Sequence, residues 1–154
     1  MNYVKMAEDR LRYYRDMQRS IKNAEREIAR LVRKAGPSEL KAIQLDITGI
    51  RCSKQDEAID TLMKIMELKD CAEKTEEALK DIDFHLEEVS VGQGCELYGE
   101  VLQRWYIEEE AKEKIAESLR YAHKDSIYRI RERAIRKFAI QLFGVKAVST
   151  FEIV

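Results

Sequence analysis

Apolar residues recur along this chain at alternating spacings of three and four, the pattern of helices that each bury one stripe. Val4, Ala7, Leu11, Tyr14, Gln18, Ile21, Glu25, Ile28, Val32 and Ala35 form one such stripe, broken only by Gln18 and Glu25. It predicts a first helix from about Tyr3 to Lys34. Gly36-Pro37 is expected to stop it, since glycine suits a C-terminal cap and proline cannot continue the hydrogen-bond ladder. A cleaner stripe follows at Ala58, Thr61, Ile65, Leu68, Ala72, Thr75, Leu79, Ile82, Leu86 and Val89, predicting a second helix from about Ser53 to Val89. Ser53 with Asp56 three residues on resembles a capping box. In the connector 38–52, Leu40, Ile43, Leu45 and Ile47 fit either a short helix or an irregular packed segment, and Thr48-Gly49 fits a turn.

Charge alters this picture. Residues 1–35 hold ten Lys/Arg against five Asp/Glu, whereas 53–89 hold five lysines against twelve acids. A basic helix and an acidic helix with matching seams predict an antiparallel hairpin spanning 1–90, in which flanking charges choose the partner and seam burial supplies most of the stability. A coiled-coil dimer satisfies the same seams, so both arrangements stay open. Gly92 and Gly94 mark the expected domain boundary.

Beyond the glycines the pattern shortens. Cys95–Tyr106 reads as a helix with Leu97, Val101, Leu102 and Trp105 available to pack, and Ala111–Leu119 as a second with Ile115, Ala116 and Leu119 inward. Arg120-Tyr121-Ala122-His123 is the expected turn, followed by a long helix from near Lys124 to its cap at Gly144. That helix carries Ile127, Ile130, Ala134, Phe138 and Leu142 at helical spacing and Arg129, Arg131, Arg133, Arg136 and Lys137 between them. Residues 95–144 therefore form a three-helix module. The apolar, β-prone tail 145–154 either packs back on it or makes a subunit contact. The fold class expected is all-α.

The net charge of −1 names no partner, but 120–146 holds eight Lys/Arg against two acids, the footprint of a nucleic-acid-binding surface. Cys52, Cys71 and Cys95 form no C-x-x-C pair and fit reduced thiols in the cytoplasm. His85 and His123 have no Cys or His at metal-ligand spacing and suit surface roles. Neither a phosphate loop nor a nucleophile motif is apparent. The sequence predicts no enzyme, cofactor or metal. It also gives no signal peptide and no membrane span.

Trp105-Tyr106-Ile107-Glu108, Ile115-Ala116-Glu117-Ser118-Leu119 and the run Ile127–Ile135 resemble the region 4 helix-turn-helix of sigma factors. More closely, the chain resembles the RinA/ArpU-type phage transcriptional regulators, which also place long helices before such a module. The resemblance is specific in residues over about 105–138. It implies activation of late phage genes by promoter binding to double-stranded DNA; separately, the helical hairpin is expected to serve self-association as a homodimer or contact with RNA polymerase. It departs at both turns: Glu109 and Ala111, then Arg120 and Ala122, stand where that family has a glycine and a small polar cap. One additional residue also lies between Leu119 and Ile127, enough to lengthen the turn or rotate the last helix by about 100°.

On this reading the long helix enters the major groove. Lys124, Ser126 and Arg129 face base edges, with Arg129 able to take guanine bidentately. Arg120, Arg133, Arg136 and Lys137 neutralise phosphates. Tyr128 either leans on a phosphate or packs on the preceding helix, and Arg131 is expected in a surface salt bridge. The competing reading is a helical adaptor built on an eroded helix-turn-helix that binds another protein.

Overall fold

Asn2 starts the first helix, its side-chain oxygen accepting the Lys5 N–H at 3.1 Å and satisfying one of the donors that a helix start leaves open. The computed structural model describes the backbone of residues 1–45, 53–120 and 124–151, and the side chains of 1–35, 56–120 and 125–148. Helix α1 runs Tyr3–Arg12, α2 Tyr14–Leu45 and α3 Ser53–Glu88. Helix α4 (Tyr98–Leu102) continues into a π-helical turn, Gln103–Ile107, and is followed by α5 (Lys112–Ser118), α6 (Lys124–Phe143) and α7 (Val145–Phe151). No strand occurs among the described residues, so the chain is all-α as its periodicity predicts. Among those residues no helix is long and apolar enough to cross a membrane.

Two compact units emerge: Met17–Ala78, and Met1–Asp16 together with Leu79–Val154. The division expected at Ser90–Gly94 is therefore corrected. The first helical segment belongs with the C-terminal helices, for reasons given by its packing below.

Within Met17–Ala78, α2 and α3 pair antiparallel. Ser20, Asn23 and Ala24 face Leu68, Cys71, Ala72 and Thr75 across a shallow cleft, and Glu27 lies near Lys64, so rising numbers on one helix meet falling numbers on the other. The α3 seam is the expected one, with Ala58 and Ile65 buried and Thr61, Leu68, Ala72 and Thr75 half-buried. The α2 seam is shifted. Gln18, Glu25 and Val32 are exposed, while Met17, Ile21, Ala24, Ile28, Leu31 and Ala35 turn inward. The cause sits at the break after α1: Leu11, Tyr14 and Met17 are spaced three and three, which drops one residue from the alternation and resets the register.

Gly36-Pro37 does not stop α2, which continues to Leu45. Proline removes one backbone hydrogen bond at a cost of ~3 kcal/mol or more in a helix interior. The residue before a proline is normally driven from helical geometry by a clash that involves its Cβ, and Gly36 has none. The connector proposed at 38–52 is thus helical to Leu45; Ile47 and Thr48-Gly49 lie outside the described residues, as does Cys52.

In the other unit, α4, α5 and α6 enclose a core of Val101, Ile115, Ala116 and Ile127, with Leu97, Trp105, Leu119 and Ile130 around it. Farther along the same side of α6, Ala134, Ile135, Phe138 and Ala139 are also buried. Helix α1 packs on α6 and on the π turn, burying Ala7 and Leu11 completely. Tyr3 meets Phe143 with ring centroids 5.3 Å apart, and Arg10 lies over the same ring at 5.2 Å. The last turns of α3 join through Ile82, Leu86 and Val89, all buried. The Tyr14 hydroxyl donates to Asp83 at 2.6 Å, and His85, expected at the surface, is half-buried and T-shaped to Phe138 with ring centroids 6.5 Å apart. The tail is helical rather than β-like: Gly144, in left-handed geometry (φ 62°), ends α6 and lets α7 fold back so that Ala147 is buried.

Gly99 is the tightest point of this unit. Its N–H donates to Ser90 Oγ at 2.9 Å, and a Cβ there would run into the Leu86 carbonyl oxygen and lie 2.7 Å from Ser90 Oγ. Gly99→Ala is expected to destabilise the protein by about 2–3 kcal/mol through overpacking. Urea unfolding with a midpoint unchanged from wild type would refute this close approach.

Candidate nucleic-acid interface

Helix α6 divides by face. Ile127, Ala134, Ile135, Phe138 and Ala139 are buried, whereas Asp125, Arg129, Glu132, Arg133, Arg136 and Ile140 form one exposed arc. Among the described residues Arg129 and Arg133 have no ion-pair partner, and Arg133 lies beside Tyr98 at a shallow cleft formed with Leu97 and Ile130. Arg136 pairs with Glu132 at 3.0 Å. Asp125 and Glu132 offset two of the three arginines, leaving the arc only modestly positive.

The remaining sequence candidates scatter. Lys124 begins α6, but its side chain lies outside the described residues, and Ser126 is half-buried. Lys137 is corrected: its ammonium donates to the Val91 carbonyl and lies over the Tyr98 ring at 5.9 Å, so it ties the Ser90–Gly94 segment to α6. Tyr128 is exposed, and its ring meets Trp105 of the π turn edge-on at 4.9 Å, rather than packing on the preceding helix α5. Arg120 is exposed, at the start of the turn whose residues 121–123, including Ala122 and His123, lie outside the described residues.

Arg131 does form a salt bridge, but to α1 rather than to a neighbour on its own helix. Its guanidinium lies 3.3 Å from Glu8 and 3.2 Å from the Tyr106 hydroxyl, which itself donates to Glu8 at 2.8 Å, and it stacks over Trp105 at 5.0 Å. Trp105 and Tyr106 both lie in the π turn. Adjacent there, both meet Arg131; Trp105 also contacts Lys112 and Tyr128, and Tyr106 contacts Glu8 of α1. Burial, opposed in part by the Arg131 hydrogen bond, pushes the Tyr106 hydroxyl up to about 12, and burial with the Asp83 contact does the same for Tyr14.

Both turns flanking α5 hold a non-glycine residue in left-handed geometry. Glu109 and Arg120 are the only described non-glycine residues with positive φ, at 53° and 62°. Ala111 starts α5 without a side-chain cap. Arg104 holds the first turn instead, lying 3.3 Å from Glu110 and donating to Ser118 Oγ at 2.8 Å.

Comparison with protein-family models, with curated proteins and with solved structures gave no match.

Two outcomes follow. Glu109→Gly should stabilise the fold by about 0.5–1 kcal/mol, the relief of left-handed strain less the added freedom of the unfolded chain. Loss of stability in thermal unfolding would contradict the strained turn. For pH, a hydroxyl whose folded pKa is raised favours the folded state fully below the unfolded value of about 10, and that contribution falls away as pH rises through about 12. Stability should therefore decline between pH 10 and 12, and Tyr106→Phe should flatten part of that decline; an unchanged slope in the variant would exclude this assignment.

Proposed function

We propose that the protein is a DNA-binding transcriptional regulator in which α4, α5 and α6 act as a helix-turn-helix, with α6 in the major groove. The observation that carries this is the exposed arc of α6, where Arg129 and Arg133 have no acidic partner among the described residues. The left-handed turns at Glu109 and Arg120 add support, since they fall where the RinA/ArpU-type regulators carry glycine. On this reading the protein works in the cytoplasm, on late genes of a phage, and approaches RNA polymerase at the promoter. Arg129 reads a base edge, while Arg133, Arg136 and Arg120 neutralise phosphates.

A second reading is favoured by a different surface. Ile59, Met63 and Met66 of α3 are 38%, 56% and 62% exposed along one face, which suits a protein adaptor or self-association. A dimer of helix-turn-helix modules would meet paired half-sites about one duplex turn apart.

Electrophoretic mobility shift with DNA from upstream of the gene tests the first reading. Arg129→Gln with Arg133→Gln should weaken binding at least tenfold and lower the slope of log affinity against log salt by about 1, the share of the one phosphate contact, Arg133, with helicity unchanged. Wild-type protein that ignores duplex DNA at low salt, yet captures a protein partner through Met63 and Met66 after nuclease treatment, would replace it with the second.

A further inference from the structure

A second cationic surface lies on the unit Met17–Ala78 and shares no residue with the α6 arc. The inward seam of α2 is Ile21, Ala24, Ile28, Leu31 and Ala35. Opposite it stand Arg19, Lys22, Arg26, Arg30 and Arg33, all exposed. At about 100° per residue these five fall within an arc of roughly 80° and extend about 21 Å along the helix. The acids of this stretch, Glu25 and Glu27, lie to either side of the arc. Glu27 steadies one member, accepting a bidentate contact from Arg30 at 2.5 and 2.9 Å. Ala29 leaves a shallow notch walled by Arg26, Arg30 and Arg33.

We propose that this face of α2 binds the phosphate backbone of duplex DNA without reading sequence. Three observations select that partner. Four of the five cations are arginine, whose planar fork takes a phosphate oxygen pair, where lysine offers a point charge. The arc holds no large apolar side chain, whereas a protein interface needs an apolar centre. A membrane-surface helix inserts its apolar face into lipid, and here that face is already turned against α3. Duplex DNA carries a charge per about 1.7 Å of axis, so the stripe covers about twelve phosphate charges. The inference rests on the DNA-binding reading for its class of partner, and on these residues alone for its site.

The test is fluorescence anisotropy of the full-length protein on a labelled random-sequence duplex of about 30 base pairs, titrated across salt. Replacing Lys22, Arg26 and Arg33 by Gln should reduce the slope of log affinity against log salt by about 2–3 and weaken binding at least tenfold. Arg26→Lys with Arg33→Lys keeps the charge and should keep the slope, which guards against a loss caused by misfolding. Slope and affinity unchanged in the Gln variant would overturn the proposal, as would preferential binding to phosphatidylserine vesicles through the same side chains. The two sites separate cleanly. If Arg129→Gln with Arg133→Gln leaves affinity intact while the α2 variant loses it, the α6 reading fails and this one stands; the reverse result removes this one alone.

Discussion

Arg131 holds the C-terminal helices to a helix from the opposite end of the chain, and the candidate DNA face depends on that attachment. Its guanidinium sits between Glu8, the Tyr106 hydroxyl and the Trp105 ring, with its Nε buried and without a hydrogen-bond partner among the described residues. A half-buried ion pair is weak evidence of net stability, because desolvation opposes the Coulomb gain. What it supplies is specificity. Removing either charge strands the other against protein, so α1 has one favourable seat on α6. That seat covers the side of α6 that holds Arg131 and leaves the side that holds Arg129 and Arg133 to solvent. Trp105 serves both sides, since it stacks on Arg131 and meets Tyr128 edge-on.

The sequence disclosed α3 and α6 nearly residue by residue, and the reason is that both obey one local rule throughout. Every position of the α3 seam is buried or half-buried where the structure describes it, and Gly144 ends α6 through a conformation that glycine takes most readily. Helix α2 was less legible because one dropped residue near Tyr13 exchanges Gln18, Glu25 and Val32 for Met17, Ala24 and Leu31. The exchanged seam is the more apolar of the two, so the break was written in the pattern but hidden by extending a single register through it. Pro37 misled because the helix continues to Leu45 despite the hydrogen bond that proline removes, and Gly36, without a Cβ, relieves only the part of the clash that falls on the residue before proline.

The attachment of α1 had no sequence signal of comparable strength. Ala7 and Leu11 read as hairpin seam and prove to be module core. Glu8, Tyr106 and Arg131 lie far apart in the chain, and no periodicity links them. Of the candidate site residues, Arg129 and Arg133 were legible because surface exposure on α6 follows from helical spacing alone. Lys137 was not, since its engagement with Val91 depends on where the Ser90–Gly94 segment returns.

Under the proposed function, the two cationic surfaces would divide the physical tasks of DNA binding between them. On α6 the arginines alternate with Asp125 and Glu132, an arrangement that lowers non-specific attraction and makes each contact conditional on what lies opposite. On α2 the cations stand together with the acids displaced to the flanks, an arrangement that attracts any polyanion and discriminates little. A face with so small a net charge gains little from counterion release, because the slope of affinity against salt counts phosphates neutralised. A protein that relied on α6 alone would thus bind weakly, with shallow salt dependence. One that also uses α2 would show a slope larger than the α6 arginines can supply. The magnitude of that slope in the unmodified chain discriminates between these cases before any side chain is changed.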